Sequence, residues 1–351
     1  MRYAELHNVR DVLPGIASRA GEIDRTGAWP ETDLEVLATL GAMRWAVPMG
    51  LGGQELSPIE IHFRYEAIAS ASLAVALILT QRDSAINFLD AAETSPLRTE
   101  LLPKLANNEC FATIGIAQLT TSRQGGEPVL RARAEGERWH IDGLIPWSTG
   151  AQFAKYIIAG AVTPEGKQVL FALPTDSPGV SVGPPMPLVA LRSTYTAAVY
   201  CENVRLHPHC ILRGPDETVL SSRKRHLPMG QAFLALGHIA GAIQLIGQHD
   251  SDRARRLAER IESHMSELRQ QVLDACAPGR EQQAAEVGAS LRARCADLAL
   301  RATGAAVALY KGSALLEDHP AQRLARETLF LLVWSCPDPV IDCTVDLLSH
   351  A

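Results

Sequence analysis

The chain has no excess of basic charge. Its 33 Lys and Arg are outnumbered by 39 Asp and Glu, giving a net charge of −6. That offers no broad basic surface to a polyanion, so nucleic acid is not an expected partner. The clusters Arg223-Lys224-Arg225 and Arg253-Ala254-Arg255-Arg256 read as solvated helix ends or faces. Seven cysteines, at 110, 201, 210, 276, 295, 336 and 343, are odd in number, and no two have the Cys-x-x-Cys spacing. This argues against a disulfide framework and a zinc site, and fits reduced thiols in a cytoplasm. No metal is expected. Long apolar runs are missing as well. The longest, Ala67 to Thr80, is broken by Ser70 and Ser72, is too short to cross a bilayer, and reads as a buried helix. Met1-Arg2-Tyr3-Ala4-Glu5 leads straight into a charged, helix-like segment, which predicts no secretory signal. Internal repeats and low-complexity tracts are absent. The expectation is a cytoplasmic protein without membrane contact.

What is present is an ordinary globular composition, 47% apolar and 21% charged over 351 residues, with room for a sizeable core. Three blocks follow one another. The first, to about residue 107, reads as helical: Tyr3 to Ile23, a helix opened by Trp29-Pro30-Glu31, and a third after Ser57. Ser57 and Glu60 have the capping-box spacing. An Ala-rich helix runs on to about Leu89, and a shorter one ends at Leu105. Between them Val47-Pro48-Met49-Gly50-Leu51-Gly52-Gly53 is a turn. From about 110 to 213, short alternating runs such as Val129 to Ala134, Tyr156 to Ala159 and Val169 to Ala172 alternate with Gly and Pro turns, predicting a β-barrel or sandwich. From about 217 the chain is helical again. Val287, Leu291, Cys295, Leu298, Ala302, Ala305 and Leu309 fall on one helical face. The predicted architecture is α+β: a helical domain 1–108, a β-barrel domain 109–214 and a helical bundle 215–351. A cleft is expected where the three meet.

One segment in the β-block points to chemistry. Ile141-Asp142-Gly143-Leu144-Ile145-Pro146-Trp147-Ser148-Thr149-Gly150 predicts a hairpin turning at Asp142-Gly143, then a ring and two hydroxyls at a surface. A flat, polar-edged ligand needs such a surface; an ordinary hairpin with a core Trp fits the residues equally well.

The order of blocks, with these motifs in place, resembles the acyl-CoA dehydrogenase family of flavoproteins over nearly the whole chain. Pro48 to Gly53 resembles the family's Pro-x-x-x-Gly-Gly turn. Phe111 to Thr120 sits where the family has an apolar strand ending in Thr-Glu-Pro. Trp147-Ser148-Thr149 sits where it has an aromatic, a variable residue and Thr or Ser. Leu191 to Leu206, with Pro208, resembles the strand that closes the β-domain, and His319 to Glu327 the helix before the catalytic position. The resemblance implies FAD: Ile114, Ile116 and Ala117 would offer backbone groups to the isoalloxazine edge, Trp147 would lie against the ring, and Ser148 or Thr149 would bond its edge. It also implies an acyl thioester substrate, carried by CoA or an acyl carrier protein, and a homodimer or homotetramer. The apolar 287–309 face is the expected partner-burying surface.

The chain departs from the family in its chemistry. The family removes an α-proton with a Glu near the start of its last helix. Counting without gaps from His319-Pro320 and Arg326, that position is Ser335, followed by Cys336 and Pro337. Members that carry the Glu on the first bundle helix would have it at about Gln231. Neither side chain is a base near pH 7; Asp338, between two prolines, is the nearest substitute and also reads as a turn residue. The segments that would hold the FAD pyrophosphate, Ile246 to Arg253 and Ala308 to Ala314, lack the family's basic-aromatic-Gly and Gly-rich patterns; Lys311 could meet a phosphate or cap a helix end. Three readings follow: a dehydrogenase-type FAD oxidoreductase with an unusual or absent base, a flavin monooxygenase, toward which Arg192-x-Thr194-x-Thr196 points, and a non-catalytic acyl- or subunit-binding member. His238, on an apolar helix face, is expected to be a core histidine.

Overall fold

The computed structural model describes residues 7–120, 127–220 and 229–349. The expectations for Met1 to Leu6 and for Arg223-Lys224-Arg225 lie outside them. Five helices come first: α1 (His7–Thr26), α2 (Glu31–Thr39), α3 (Pro58–Ala71), α4 (Leu73–Ala91) and α5 (Pro96–Ala106). The capping box of α3 is formed. Ser57 Oγ accepts from the Glu60 N–H, and Glu60 Oε2 accepts from the Ser57 N–H at 2.8 Å. The turn before it needs Gly53, where a Cβ would sit 1.8 Å from the Val47 carbonyl oxygen.

The middle block contains β1 (Ala112–Gly115), one helical turn α6 (Ala117–Thr120), β2 (Leu130–Glu135), β3 (Arg138–Ser148), β4 (Tyr156–Val162), β5 (Gln168–Pro174), β6 (Val180–Val182), β7 (Ala197–Leu206) and β8 (Ile211–Asp216). They form one eight-stranded sheet in the order β6-β7-β3-β2-β4-β5-β8, with β1 parallel to β4. The end strands β6 and β8 have no described pairing with each other, so in hydrogen bonding the expected barrel is an open sheet. The stretch Phe111 to Thr120 is a strand only as far as Gly115.

The Asp142-Gly143 turn is not where the hairpin turns. The β2–β3 hairpin turns at Gly136-Glu137, and β3 runs unbroken to Ser148. At Asp142-Gly143 the ladder with β7 slips by a bulge instead. Gly143 has φ +122°, and a Cβ there would lie 2.1 Å from the Val129 carbonyl oxygen. The dipeptide's conformational freedom is spent on bending a strand over its neighbour rather than reversing it.

The last block is α7 (Gly230–Gly247), α8 (Asp252–Ala275), α9 (Glu281–Tyr310), α10 (Pro320–Val333) and α11 (Asp338–Ser349). Helix α9 is central and packs on the other four. Its predicted stripe faces inward: Leu291, Cys295, Leu298 and Ala302 are buried within the chain's own bundle. That corrects the expectation that this stripe meets a second subunit. Arg253, Arg255 and Arg256 are solvated on α8, as expected. Helix α7 is the one described helix long and apolar enough to cross a bilayer, and 67% of that window is buried in the protein. It lies backbone to backbone on α3: a Cβ at Gly237 would meet the Glu66 carbonyl oxygen at 2.2 Å, and one at Gly241 the Ser70 oxygen at 2.6 Å. This contact locks the first helical block to the last. All seven cysteines are free.

Candidate functional site

A cavity of about 630 Å³ opens between the sheet and helices α4, α7 and α10. Its sheet side is shaped by a second bulge. Ile145 pairs with Val199 and Ser148 with Ala197, so three steps along β3 answer two along β7. The extra residue breaks the in-out alternation. Ile145 and Ser148 both point inward, and Trp147 is turned out, 51% exposed, against the cavity. Ser148 Oγ donates to the Ile114 carbonyl at 3.2 Å, which ties β3 to β1. Ser148 therefore braces the wall and does not line it. Ile114, Ile116 and Ala117 do line it, as does Thr149.

Thr149 heads a chain of hydroxyls. Its Oγ1 is 3.2 Å from Thr196 Oγ1, which is 2.9 Å from Thr194 Oγ1, and Thr194 donates to the Leu191 carbonyl at 2.7 Å. All three threonines line the cavity. They are held by a short 3-10 turn, Arg192–Thr194, flanked by Leu191 (φ +59°) and Tyr195 (φ +47°). Two non-glycine residues in the left-handed region are strained, and the surroundings must over-determine them. Arg192 Nη2 does so by donating to the Asp24 and Arg25 carbonyls at the C-terminal end of α1 (2.8 and 3.1 Å).

The helical side carries both positions at which the resemblance implies a Glu. Gln231, in the first turn of α7, and Ser335, between α10 and α11, line the same cavity. Ser335 has φ +51°. Arg292 of α9 fixes the loop, with Nη1 donating to the Ser335 carbonyl at 3.0 Å and Nη2 to the Trp334 carbonyl at 2.9 Å. Asp338 is not a substitute base. It is exposed in the first turn of α11, where a carboxylate suits the helix dipole, and it does not line the cavity. His238 is a core histidine, as expected: fully buried, with Nε2 2.9 Å from the Leu324 carbonyl and 3.0 Å from Thr328 Oγ1. Burial holds its pKa below the usual histidine range.

Among the described residues lining this cavity, the only ionisable side chain is Arg326. It is already engaged, with an ion pair to Asp24 and donation to the Val189 carbonyl at 2.7 Å and to Gln322 Oε1 at 2.7 Å. The wall thus offers an exposed indole, three linked hydroxyls and an edge strand, all on rigid backbone. That donor set fits a flavin ring. It offers little to a pyrophosphate: no described residue of 246–253 or 308–314 lines the cavity, and Lys311 is exposed at the end of α9.

The sequence reading missed the contribution of α4. Leu77, Gln81 and Ser84 form its cavity face, at spacings of four and three. The signal was available in Thr80-Gln81-Arg82-Asp83-Ser84, a polar cluster inside an otherwise apolar helix.

Comparisons with known proteins bear on the N-terminal domain and on the fold. Residues 8–109 match the acyl-CoA dehydrogenase N-terminal domain. The probable acyl-CoA dehydrogenase YngJ of Bacillus subtilis (strain 168) is 25% identical over 338 residues, which span 89% of this chain and 88% of the relative. The structure of butyryl-CoA dehydrogenase from Megasphaera elsdenii superposes with a TM-score of 0.83 at 16% identity, over 98% of this chain and 97% of the other. A nitrososynthase from Micromonospora carbonacea var. africana superposes with a TM-score of 0.79 at 20% identity, over 98% and 95%. Residues 8–109 thus match the acyl-CoA dehydrogenase N-terminal domain, and the chain as a whole has the acyl-CoA dehydrogenase fold.

Proposed function

We propose that this protein is an FAD-dependent oxidoreductase that acts on an acyl thioester presented by CoA or a carrier protein, without a carboxylate base in the described cavity wall. The observation that carries the proposal is the joint placement of Trp147, Thr149 and the β1 edge opposite Gln231 and Ser335 in one cavity. FAD, when bound, supplies the two-electron acceptor. The chain's residues do the positioning. Trp147 gives the ring a face, the Thr149-Thr196-Thr194 hydroxyls give its edge partners, and Ile114, Ile116 and Ala117 close the end. Val189, Leu329 and Val333 form a solvent-exposed apolar rim at the cavity. Gln231 and Ser335 can hydrogen-bond a thioester carbonyl and so acidify the adjacent C–H. They cannot take its proton, so the substrate must carry a C–H acidic enough to lose it to solvent or to a group of its own.

The purified protein should be yellow, and an acyl thioester should bleach the flavin under anaerobic conditions. A colourless protein that FAD does not reconstitute removes the proposal. A second reading, a flavin monooxygenase, is supported by the lack of any carboxylate, His or Cys among the described lining residues, since oxygen chemistry on a flavin needs no α-proton base. Oxygen uptake driven by externally reduced flavin separates the two. The proposal includes a cytoplasmic location, which the seven unpaired thiols support. It also includes a homo-oligomer. The α9 stripe no longer supports one, but Ile341, Val345 and Leu348 form an exposed apolar face on α11. Light scattering reads the mass directly.

A further inference from the structure

The cavity does not end at Gln231. A smaller space of about 100 Å³ lies beside it, and Gln81, Ser84, Gln231 and Trp334 stand in the walls of both. Their linings differ in kind. The smaller chamber is walled by His62, Tyr65, Asp83 and Asn87. Helix α4 starts as a continuous apolar run, Leu73 to Leu79, and then turns Thr80, Gln81, Asp83, Ser84 and Asn87 toward these spaces. Polar groups are costly in a core helix unless something satisfies them.

Part of the set is satisfied within the protein. Tyr65 donates to Asp83 Oδ2 at 2.5 Å. Arg82 Nη1 donates to Asp83 Oδ1 at 2.6 Å, and Nη2 donates to the Met43 and Leu105 carbonyls. The carboxylate is therefore matched in charge and locked in place. Two acceptors are left over. Asn87 Oδ1 is buried with no hydrogen-bond partner. His62 Nδ1 is 2.7 Å from the Pro58 carbonyl, which can only accept, so Nδ1 carries the proton. Burial lowers the His62 pKa to about 4, which keeps the ring neutral and Nε2 a bare acceptor at the chamber wall.

Two neutral acceptors beside a charge-matched Asp83 call for a neutral donor. A carboxylate would meet three electron-rich groups, and an alkyl tip would leave both acceptors unpaired. The volume admits a tip of few heavy atoms rather than a chain. We propose that the substrate is a short acyl thioester whose far end carries a hydroxyl group, seated in this chamber with its single O–H donating to His62 Nε2 or Asn87 Oδ1. The inference rests on the thioester reading above.

The test uses the full-length holoprotein and three thioesters presented on CoA and on pantetheine: butyryl, 4-hydroxybutyryl and succinyl. Calorimetry should show 4-hydroxybutyryl binding about tenfold more tightly than butyryl, and succinyl more weakly than either. In His62→Phe and Asn87→Leu most of that preference should vanish while butyryl binds at least as well, which also shows that the variants are folded. The His62 Nε2 resonance in ¹⁵N-labelled wild type should move with the hydroxylated thioester and not with butyryl, a readout that depends on no variant. Equal affinity for the pair, an unmoved resonance, or a preference that survives both substitutions overturns the chamber's role alone. If none of the thioesters binds on either carrier, the thioester reading fails and this inference fails with it.

Discussion

The two sides of the main cavity are built differently. The sheet side is over-determined. A bulge sets Trp147, a strained turn sets three threonines, and Arg192 ties that turn to α1. The helical side is held as well, by Arg292 on the 334–335 backbone, but its polar groups include no carboxylate: Gln81, Ser84, Gln231, Ser335 and an Arg326 already paired with Asp24. One side keeps both the shape and the chemistry that suit a flavin ring. The other brings Gln231 and Ser335, the positions where the resemblance implies a base, to one cavity wall and places no carboxylate among its described lining residues. Under the proposed function, fold and chemistry are separable in this molecule, because the same backbone can present a carboxylate or an amide at these positions.

The sharpest way to test that separation is to put the base back. Gln231→Glu is nearly isosteric and places a carboxylate in a largely apolar cavity, where its basicity rises. If the helical side has lost only its proton acceptor, anaerobic flavin bleaching by butyryl-CoA should quicken by about 10²–10⁴-fold, the usual worth of a positioned general base, with flavin content unchanged. Stopped-flow absorbance reads it. An unchanged rate would mean that the missing base is not what limits the reaction.

The sheet side should respond in the opposite manner. Trp147→Ala removes the face of the ring site without touching the helical wall. Flavin affinity should fall roughly tenfold to a hundredfold, in line with about 1.5–3 kcal/mol for an uncovered large apolar surface. Fluorescence titration of the apoprotein with FAD measures it. Retained affinity would move the ring away from Trp147.

How much of this contrast was visible beforehand differs by side. The capping box at Ser57 and Glu60 and the core role of His238 could be read from spacing and pattern, because each depends on near neighbours or on a helix of fixed pitch. Trp147 was singled out for the wrong local reason. Asp142-Gly143 looked like a hairpin turn, yet its φ of +122° serves a bulge, and what exposes Trp147 is the second slip, between Ile145 and Ser148. A bulge is a relation between two strands, and the sequence of one strand does not contain it. The α9 stripe failed similarly: an apolar face shows that something covers it, not whether the cover is the same chain. Asp338 looked like a turn residue because of its flanking prolines, and it begins a helix.

Rigidity on the two sides can be compared directly. Gly150 has φ +65°, and a Cβ there would come within 2.9 Å of Phe111 and 3.0 Å of Trp29, whose ring stacks on Phe153. Gly150→Ala should cost about 1–3 kcal/mol from backbone strain and overpacking, lowering Tm and loosening FAD. Arg292→Met should cost about 1–3 kcal/mol through the two carbonyls left without a donor, yet leave FAD affinity near wild type. Thermal melts with and without FAD separate them. If Arg292→Met also releases FAD, the two sides are coupled and the separation fails.

The smallest expected effect lies in the inner chamber. His62 has an ordinary pKa of 6.5, lowered in the folded protein to about 4 by burial, and His238 is shifted in the same direction for the same reason. Folding therefore favours the neutral rings. Between pH 6.5 and about 4 the unfolded chain binds more protons than the folded one, so stability rises with pH across that window and is lost as the pH falls through it. Each histidine can add up to about 1.4 kcal/mol per pH unit to the slope. In urea melts, His62→Phe should flatten the dependence by the equivalent of one proton near pH 5 and leave the remaining slope to His238 and the carboxylates. A hydroxylated thioester that bonds Nε2 should resist protonation of His62 further, extending the wild-type pH dependence to below about pH 4 and leaving His62→Phe unchanged. An identical slope in both proteins would mean that His62 is protonated as readily in the folded chamber as in water, and the bare acceptor on which the chamber's preference depends would not exist.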